Sequence, residues 1–193
     1  MESAHWWFLM KHESGRLQPD NRWSTFNARA SRMFGSRPYK GAARHQRCIV
    51  PASGYYEWVT RQGLRIPHYL EPREGCLAFA GLYRHWHLAG TSIASTTVVT
   101  TDAHPALQWL HEKSTPLMLA EKDFDRWLDP AIEREEDLRD LWQPAIPKAM
   151  RLFPVSTAMN NARDKSDSCL QSVGEVQMLD ESYRREADDF QLE

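Results

Sequence analysis

The stretch Arg47–Trp58, RCIVPASGYYEW, decides how this chain folds. Cys48–Pro51 is an apolar run that reads as a strand, and Ser53-Gly54 supplies turn chemistry after it. Tyr55–Thr60 then resumes with aromatic and β-branched residues, the composition of a second strand. Arg61-Gln62-Gly63 is a hairpin-type turn, and Ile66–Leu70 is the return strand, with Pro67 marking it as an edge candidate. Within this block one carboxylate, Glu57, stands among three large aromatics, Tyr55, Tyr56 and Trp58.

Outward from that block the β signal continues. Leu77–Tyr83 and Thr91–Thr101 are further strands, the latter containing SIASTTVVTT, the strongest β signal in the sequence. HWWFLM near the start is apolar enough for a strand, whereas residues 11–22, with Gly15 and Pro19, read as a loop. NARASRMF leads into a short helix or turn before Pro38 and Gly41. Ala106–His111 reads as a short helix, Pro116–Leu119 as a short strand, and Leu152–Val155 as the last strand. Phe124, Trp127 and Leu128 share one face of a helix over 121–128, and a second, highly charged helix is expected over 132–142. The expected class is α+β: a single mixed, mainly antiparallel, barrel-like sheet with peripheral helices. Residues 1–176 form the expected domain, and 177–193 an acidic, loosely ordered tail.

With 193 residues the chain is long enough for one domain to bury a stable core without metal or disulfide staples. Its net charge of −2 excludes a global polycation, so any nucleic-acid surface must come from local segregation of charge. Residues 22–47 carry Arg22, Arg29, Arg32, Arg37, Lys40, Arg44 and Arg47 and no acid, while Glu121–Asp140 is acidic. A solvated basic face and an anion-binding face are both open on charge alone. Three cysteines, none in a C-x-x-C pair, fit a reducing compartment. No apolar run is long enough for a membrane span, and no signal pattern opens the sequence, so a cytoplasmic location is expected.

Strand alternation puts Tyr55 and Glu57 on one face and Tyr56 and Trp58 on the other. The second face is the expected core, because two large aromatics left in water forfeit their burial energy. If the Glu57 face lines a cleft, desolvation raises its pKa toward neutrality and makes it a proton donor and acceptor; an exposed edge-strand glutamate is the alternative. His111 can titrate near neutral pH, and the Asn27-Ala28-Arg29 segment and the Pro154–Asn161 turn are further candidates. His85-x-His87 lacks a third ligand, so no metal site is expected. No dinucleotide, phosphate-loop, nucleophile-elbow or zincin motif is present, and no cofactor is expected.

Five blocks in order, TFNARA (25–30), RCIVPASGYYEW (47–58), VTTDAHPALQWLHEKSTPLML (99–119), FDRWL (124–128) and FPVSTAMNN (153–161), together resemble the SOS-response-associated peptidase (SRAP) family over roughly residues 6–173. The resemblance implies an abasic-site processing protein that binds single-stranded DNA, crosslinks to the abasic sugar as a thiazolidine, and has an associated autoproteolytic peptidase activity. It implies proton transfer by Glu57 and His111, positioning of the sugar by Asn27, and phosphate contacts by Arg29 and Arg37. Single-stranded DNA containing abasic sites is the expected partner, with no membrane and no second subunit.

The start of the chain departs from the family pattern. The family's nucleophile is a cysteine in a Met-Cys-Gly-Arg start, and position two here is Glu2. Cys48, Cys76 and Cys169 cannot offer a free α-amine beside the thiol, so no nucleophile is assigned. The expectation is an N-terminally truncated domain that lacks the family's first strands. Two alternatives stay open: a single-stranded DNA-binding module without chemistry, and an unrelated α+β hydrolase using Glu57 and His111.

Overall fold

The structure is a computed structural model and describes residues 2–88, 90–161, 163 and 166–180. In chain order the strands among these residues are β1 (His5–Trp6), β2 (Met10–Glu13), β3 (Arg16–Pro19), β4 (Asn27–Arg29), β5 (Arg47–Ala52), β6 (Tyr55–Arg61), β7 (Leu64–Pro72), β8 (Leu77–Leu88), β9 (Thr91–Thr101), β10 (Thr115–Pro116), β11 (Met150–Pro154) and β12 (Gln177–Leu179). The α-helices are short: α1 (Ala30–Met33), α2 (Lys40–His45) and α3 (Phe124–Leu128). The α+β class holds. The expected single barrel-like sheet does not: the strands divide among three sheets, and no sheet closes among the described residues. The chain separates into two units, Met1–Pro51 with Ala78–Asp102 and Pro116–Pro144, and Ala52–Leu77 with Ala103–Thr115 and Ala145–Glu193.

The first unit is built on the long hairpin β8–β9, whose antiparallel register runs from Gly81 opposite Val98 to Leu88 opposite Thr91. The sheet order is β1-β9-β8-β5, and β4 also pairs β9. β1 and β4 run parallel to β9, so the sheet is mixed. α1 and α2 bury Ala30, Met33, Ala42 and Ala43 against Phe8, Leu82, Val99, Trp127 and Leu138. Arg47 locks this core from inside. Its guanidinium donates to the carbonyls of Trp127 (2.6 Å), Ala43 (2.7 Å), Arg44 (2.8 Å) and Asp129. The Trp127 indole returns a bond to the Cys48 carbonyl at 2.8 Å.

Three local expectations change here. Residues 11–22 are not simply loop: β2 and β3 form a hairpin around Ser14-Gly15, both at positive φ, the two-residue turn that matches strand twist. Polar residues on both faces hid its alternation. Residues 132–142 form 3₁₀ turns at Glu135–Asp137 and Arg139–Trp142 rather than one helix. The Asp137 carbonyl accepts from Arg126, and Leu141 N–H reaches back only to Leu138. Likewise the expected helix over 106–111 gives way to a single 3₁₀ turn at Pro105–Leu107.

The second unit carries an antiparallel sheet in the order β12-β11-β7-β6. β6 and β7 pair from Tyr55 opposite Leu70 to Arg61 opposite Leu64, around Gln62-Gly63 at positive φ. β7 is therefore interior, not an edge. Pro67 is accommodated because β11 ends its pairing at Pro154 opposite His68, and the Pro67 carbonyl then accepts from Val155 N–H at 3.0 Å. Leu70, Leu152, Met150 and Leu179 are buried along this sheet. Gln177–Leu179, placed in the tail on sequence, is strand β12, with Leu179 opposite Met150. Residues 181–193, the rest of that tail, lie outside the described residues.

Candidate active site

In the second unit the Glu57 carboxylate meets His111. Glu57 lies on β6 opposite His68 on β7. His111 follows the turn Pro105–Leu107, which begins with His104 Nδ1 accepting from Ala106 N–H. That segment is anchored by buried Leu107 and Leu110, and the N–H groups of Leu110 and His111 both donate to the Leu107 carbonyl. The result places His111 Nδ1 3.3 Å from Glu57 Oε2. Four-fifths of the Glu57 side chain is shielded from solvent, and this desolvation raises its pKa to about 7. Tyr55, on the same face, has its hydroxyl sealed from solvent. Burial, and then the charge of Glu57, pushes that phenol's pKa upward. The acid among aromatics is thus a carboxyl that holds or yields a proton near neutral pH, within hydrogen-bond reach of an imidazole.

The opposite face of β6 is the structural one. Tyr56 packs on Tyr69 at 4.8 Å between ring centroids, within a small core that includes Phe153 and Val155. Trp58 Nε1 donates to Asn160 Oδ1 at 2.8 Å, and Asn160 Nδ2 donates to the Arg65 carbonyl at 3.0 Å. The Pro154–Asn161 turn therefore fastens the hairpin. Gly54 sets where β6 begins: a Cβ there would stand 2.5 Å from the Leu70 carbonyl oxygen and clash with the Tyr69 hydroxyl. Backbone cannot move aside as a side-chain tip can. Gly54→Ala is expected to destabilise the protein by about 2–4 kcal/mol in urea unfolding; a change within about 0.5 kcal/mol would show that β6 tolerates displacement.

In the first unit Asn27 is exposed on β4, in register with Val98, and its carbonyl accepts from Tyr39 Oη at 3.2 Å. Arg29 donates through Nη1 to the Thr101 carbonyl at 2.8 Å and pairs with the exposed Asp102 carboxylate. Arg37 is exposed between α1 and α2. The acid-free run 22–47 is less uniform than its sequence: Arg22 is forked onto Asp20, and Arg47 is buried on carbonyls. Sequence reading passed over the exposed aromatics of this unit, Trp6 (59% exposed), Trp23 (62%) and Phe26 (39%). Trp6 meets Phe26 edge-on and donates through Nε1 to its carbonyl at 2.7 Å. For Trp23 and Phe26 the signal is a pair of aromatics within four residues of Asn27, whereas Trp6 lies in the HWWFLM run read as a strand.

The described residues contain no group of three or more His, Cys, Asp or Glu placed to hold an ion. Cys169 is buried and Cys76 exposed. Cys48 Sγ lies 3.7 Å from Thr96 Oγ1, and burial raises its thiol pKa, disfavouring the nucleophilic form. Among the described residues, no helix is long and apolar enough to cross a membrane.

Comparison with known proteins agrees with the block pattern. The family model for the SOS response associated peptidase (SRAP) matches residues 1–162. Abasic site processing protein YoqW of Bacillus subtilis (strain 168) is 28% identical over 149 residues, covering 76% of this chain and 66% of that protein. Abasic site processing protein HMCES of Xenopus tropicalis is 26% identical over 173 residues, covering 79% of this chain and 51% of that protein. The chain thus spans about half to two thirds of these curated relatives. Among solved structures, a Bordetella bronchiseptica protein superposes with TM-score 0.60 at 27% identity, covering 70% of this chain and 67% of that one. A Bacteroides thetaiotaomicron protein shares the fold, with TM-score 0.68 at 24% identity over 76% of this chain and 65% of that one. On the match of most of its length, the chain belongs to the SOS response associated peptidase (SRAP) family.

Proposed function

We propose that this protein processes abasic sites in DNA, with Glu57 and His111 as the acid–base pair that opens the abasic sugar. The observation that carries the reading is the 3.3 Å approach of His111 to a carboxyl whose pKa is near 7. An abasic deoxyribose rests as a cyclic hemiacetal. Opening it breaks the C1′–O4′ bond, moves the anomeric hydroxyl proton to a base, and delivers a proton to O4′. Protonated Glu57 supplies the second proton, and His111 accepts the first. The aldehyde so exposed is the electrophile for any amine or thiol that follows.

The first unit supplies groups suited to the strand. Asn27 offers an amide to the DNA strand, while Arg29 and Arg37 offer guanidinium groups to phosphates. Arg29 exchanges its exposed Asp102 partner for a phosphate. Trp6, Trp23 and Phe26 present faces on which unstacked bases of a single strand lie, as repeated aromatic platforms do elsewhere. Both the single-strand preference and a monomeric state belong to this reading.

The test follows the aldehyde. An abasic oligonucleotide is mixed with a saturating hydroxylamine probe, so that ring opening limits oxime formation. The protein is expected to accelerate the oxime by about 10²-fold or more, and His111→Ala to remove that acceleration while leaving oligonucleotide binding intact. Equal oxime rates with and without protein would overturn the reading.

A further inference from the structure

The face of the β6–β7 ribbon that carries Glu57 continues toward the hairpin tip. Val59 and Arg61 follow Glu57 on that side, opposite Ile66 and Leu64. Arg61 lies four residues beyond Glu57, about 13 Å along the strand. Trp109, two residues before His111, lies on the same face. The His68 ring meets it edge-on with centroids 5.4 Å apart, and the Arg61 guanidinium stands 5.9 Å from the Trp109 ring centroid. Burial chiefly, and the charge of Arg61 in addition, depress the pKa of His68, so the Arg61 field reaches into this face.

We propose that Arg61, held on Trp109, is a phosphate subsite for the DNA strand flanking the abasic sugar. The subsite rests on the reading of Glu57 and His111 given above and names a part of the substrate that reading leaves unassigned. Three features point to a backbone phosphate. Arg61 is exposed, so a strand can reach it. An aromatic ring beneath a guanidinium restrains it, so less side-chain entropy is lost when it binds an anion. Finally, Arg61 is rooted toward the hairpin tip, four residues beyond Glu57, so the group it meets is a phosphate of the flanking strand rather than the sugar itself. Arg65 provides the contrast: it stacks on Trp58, 5.1 Å from the ring centroid, on the other side of the ribbon.

The experiment measures affinity against salt for two single-stranded probes carrying a central tetrahydrofuran abasic analogue, one of about eleven nucleotides and one trinucleotide. Arg61→Gln is expected to lower the slope of log affinity against log salt by about 0.7 on the longer probe, with Arg61→Lys restoring most of it. On the trinucleotide Arg61→Gln is expected to match wild type, and Arg65→Gln to keep the wild-type slope on both. An unchanged slope for Arg61→Gln, an equal loss on both probes, or an equal loss for Arg65→Gln would overturn the subsite alone. Failure of the wild-type protein to bind either probe would overturn the abasic-site reading and the subsite with it. Unchanged thermal unfolding of Arg61→Gln confirms that binding, not folding, is being read.

Discussion

Under the proposed mechanism Glu57→Gln is expected to lower the rate of aldehyde unmasking by about 10²–10⁴-fold, the range for losing a positioned acid or base. Glutamine keeps the shape and the shielding but cannot donate the carboxyl proton. The pH profile carries a second signature. Because the proposed mechanism uses the protonated carboxyl and its pKa is about 7, the wild-type rate is expected to fall as pH rises through 7, and Glu57→Gln to remove that limb. Stability moves in a linked way. The folded pKa lies above the ordinary value of 4.5, so between 4.5 and about 7 the native state binds more protons than the unfolded chain. Unfolding free energy therefore declines as pH rises across that window, by on the order of 3 kcal/mol from this group. Glu57→Gln is accordingly more stable relative to wild type at pH 8 than at pH 4. Unfolding curves at the two pH values check this, and an equal difference at both would place the carboxyl in water.

Trp127→Ala costs about 3–5 kcal/mol, the range for emptying a buried aromatic site. Trp127 is completely buried in the core of the first unit. Its indole N–H is donated to the Cys48 carbonyl, and its own carbonyl accepts from Arg47. Trp127→Phe is expected to recover most of the packing and to lose about 1 kcal/mol for the missing hydrogen bond. Urea unfolding of both variants separates the contributions. A loss below about 1 kcal/mol for Trp127→Ala would mean that the surrounding side chains collapse into the space.

What could be read in the sequence follows from how local each signal is. The G-Y-Y-E-W strand and its return through Gln62-Gly63 were legible because turn chemistry and alternation act between neighbours. The two faces of β6 follow from alternation alone. The meeting of Glu57 with His111 is not local: it depends on the turn at Pro105–Leu107 and two buried leucines, and only the resemblance to a family pointed to it. Pro67 misled for a related reason, since the end of β11 that accommodates it lies almost ninety positions later. The charged run 22–47 misled because the carbonyls that enclose Arg47 come partly from Trp127 and Asp129, and the carboxylates facing Arg22 and Arg29 lie outside the run, at Asp20 just before it and at Asp102 far beyond it. Arg61 gave no signal by itself. Its place on Trp109 appears only once the ribbon and the His111 segment are side by side.

The carbonyl cage around Arg47 also bears on how the first unit opens. A guanidinium cannot leave water until every oxygen that replaces that water has arrived, and here those oxygens belong to α2, to α3 and to the residue after it. Loosening any one of these segments alone strands a cation in a nonpolar interior. Fraying is thereby penalised, and hydrogen-exchange protection in β5, α2 and α3 should be lost together, as one cooperative block.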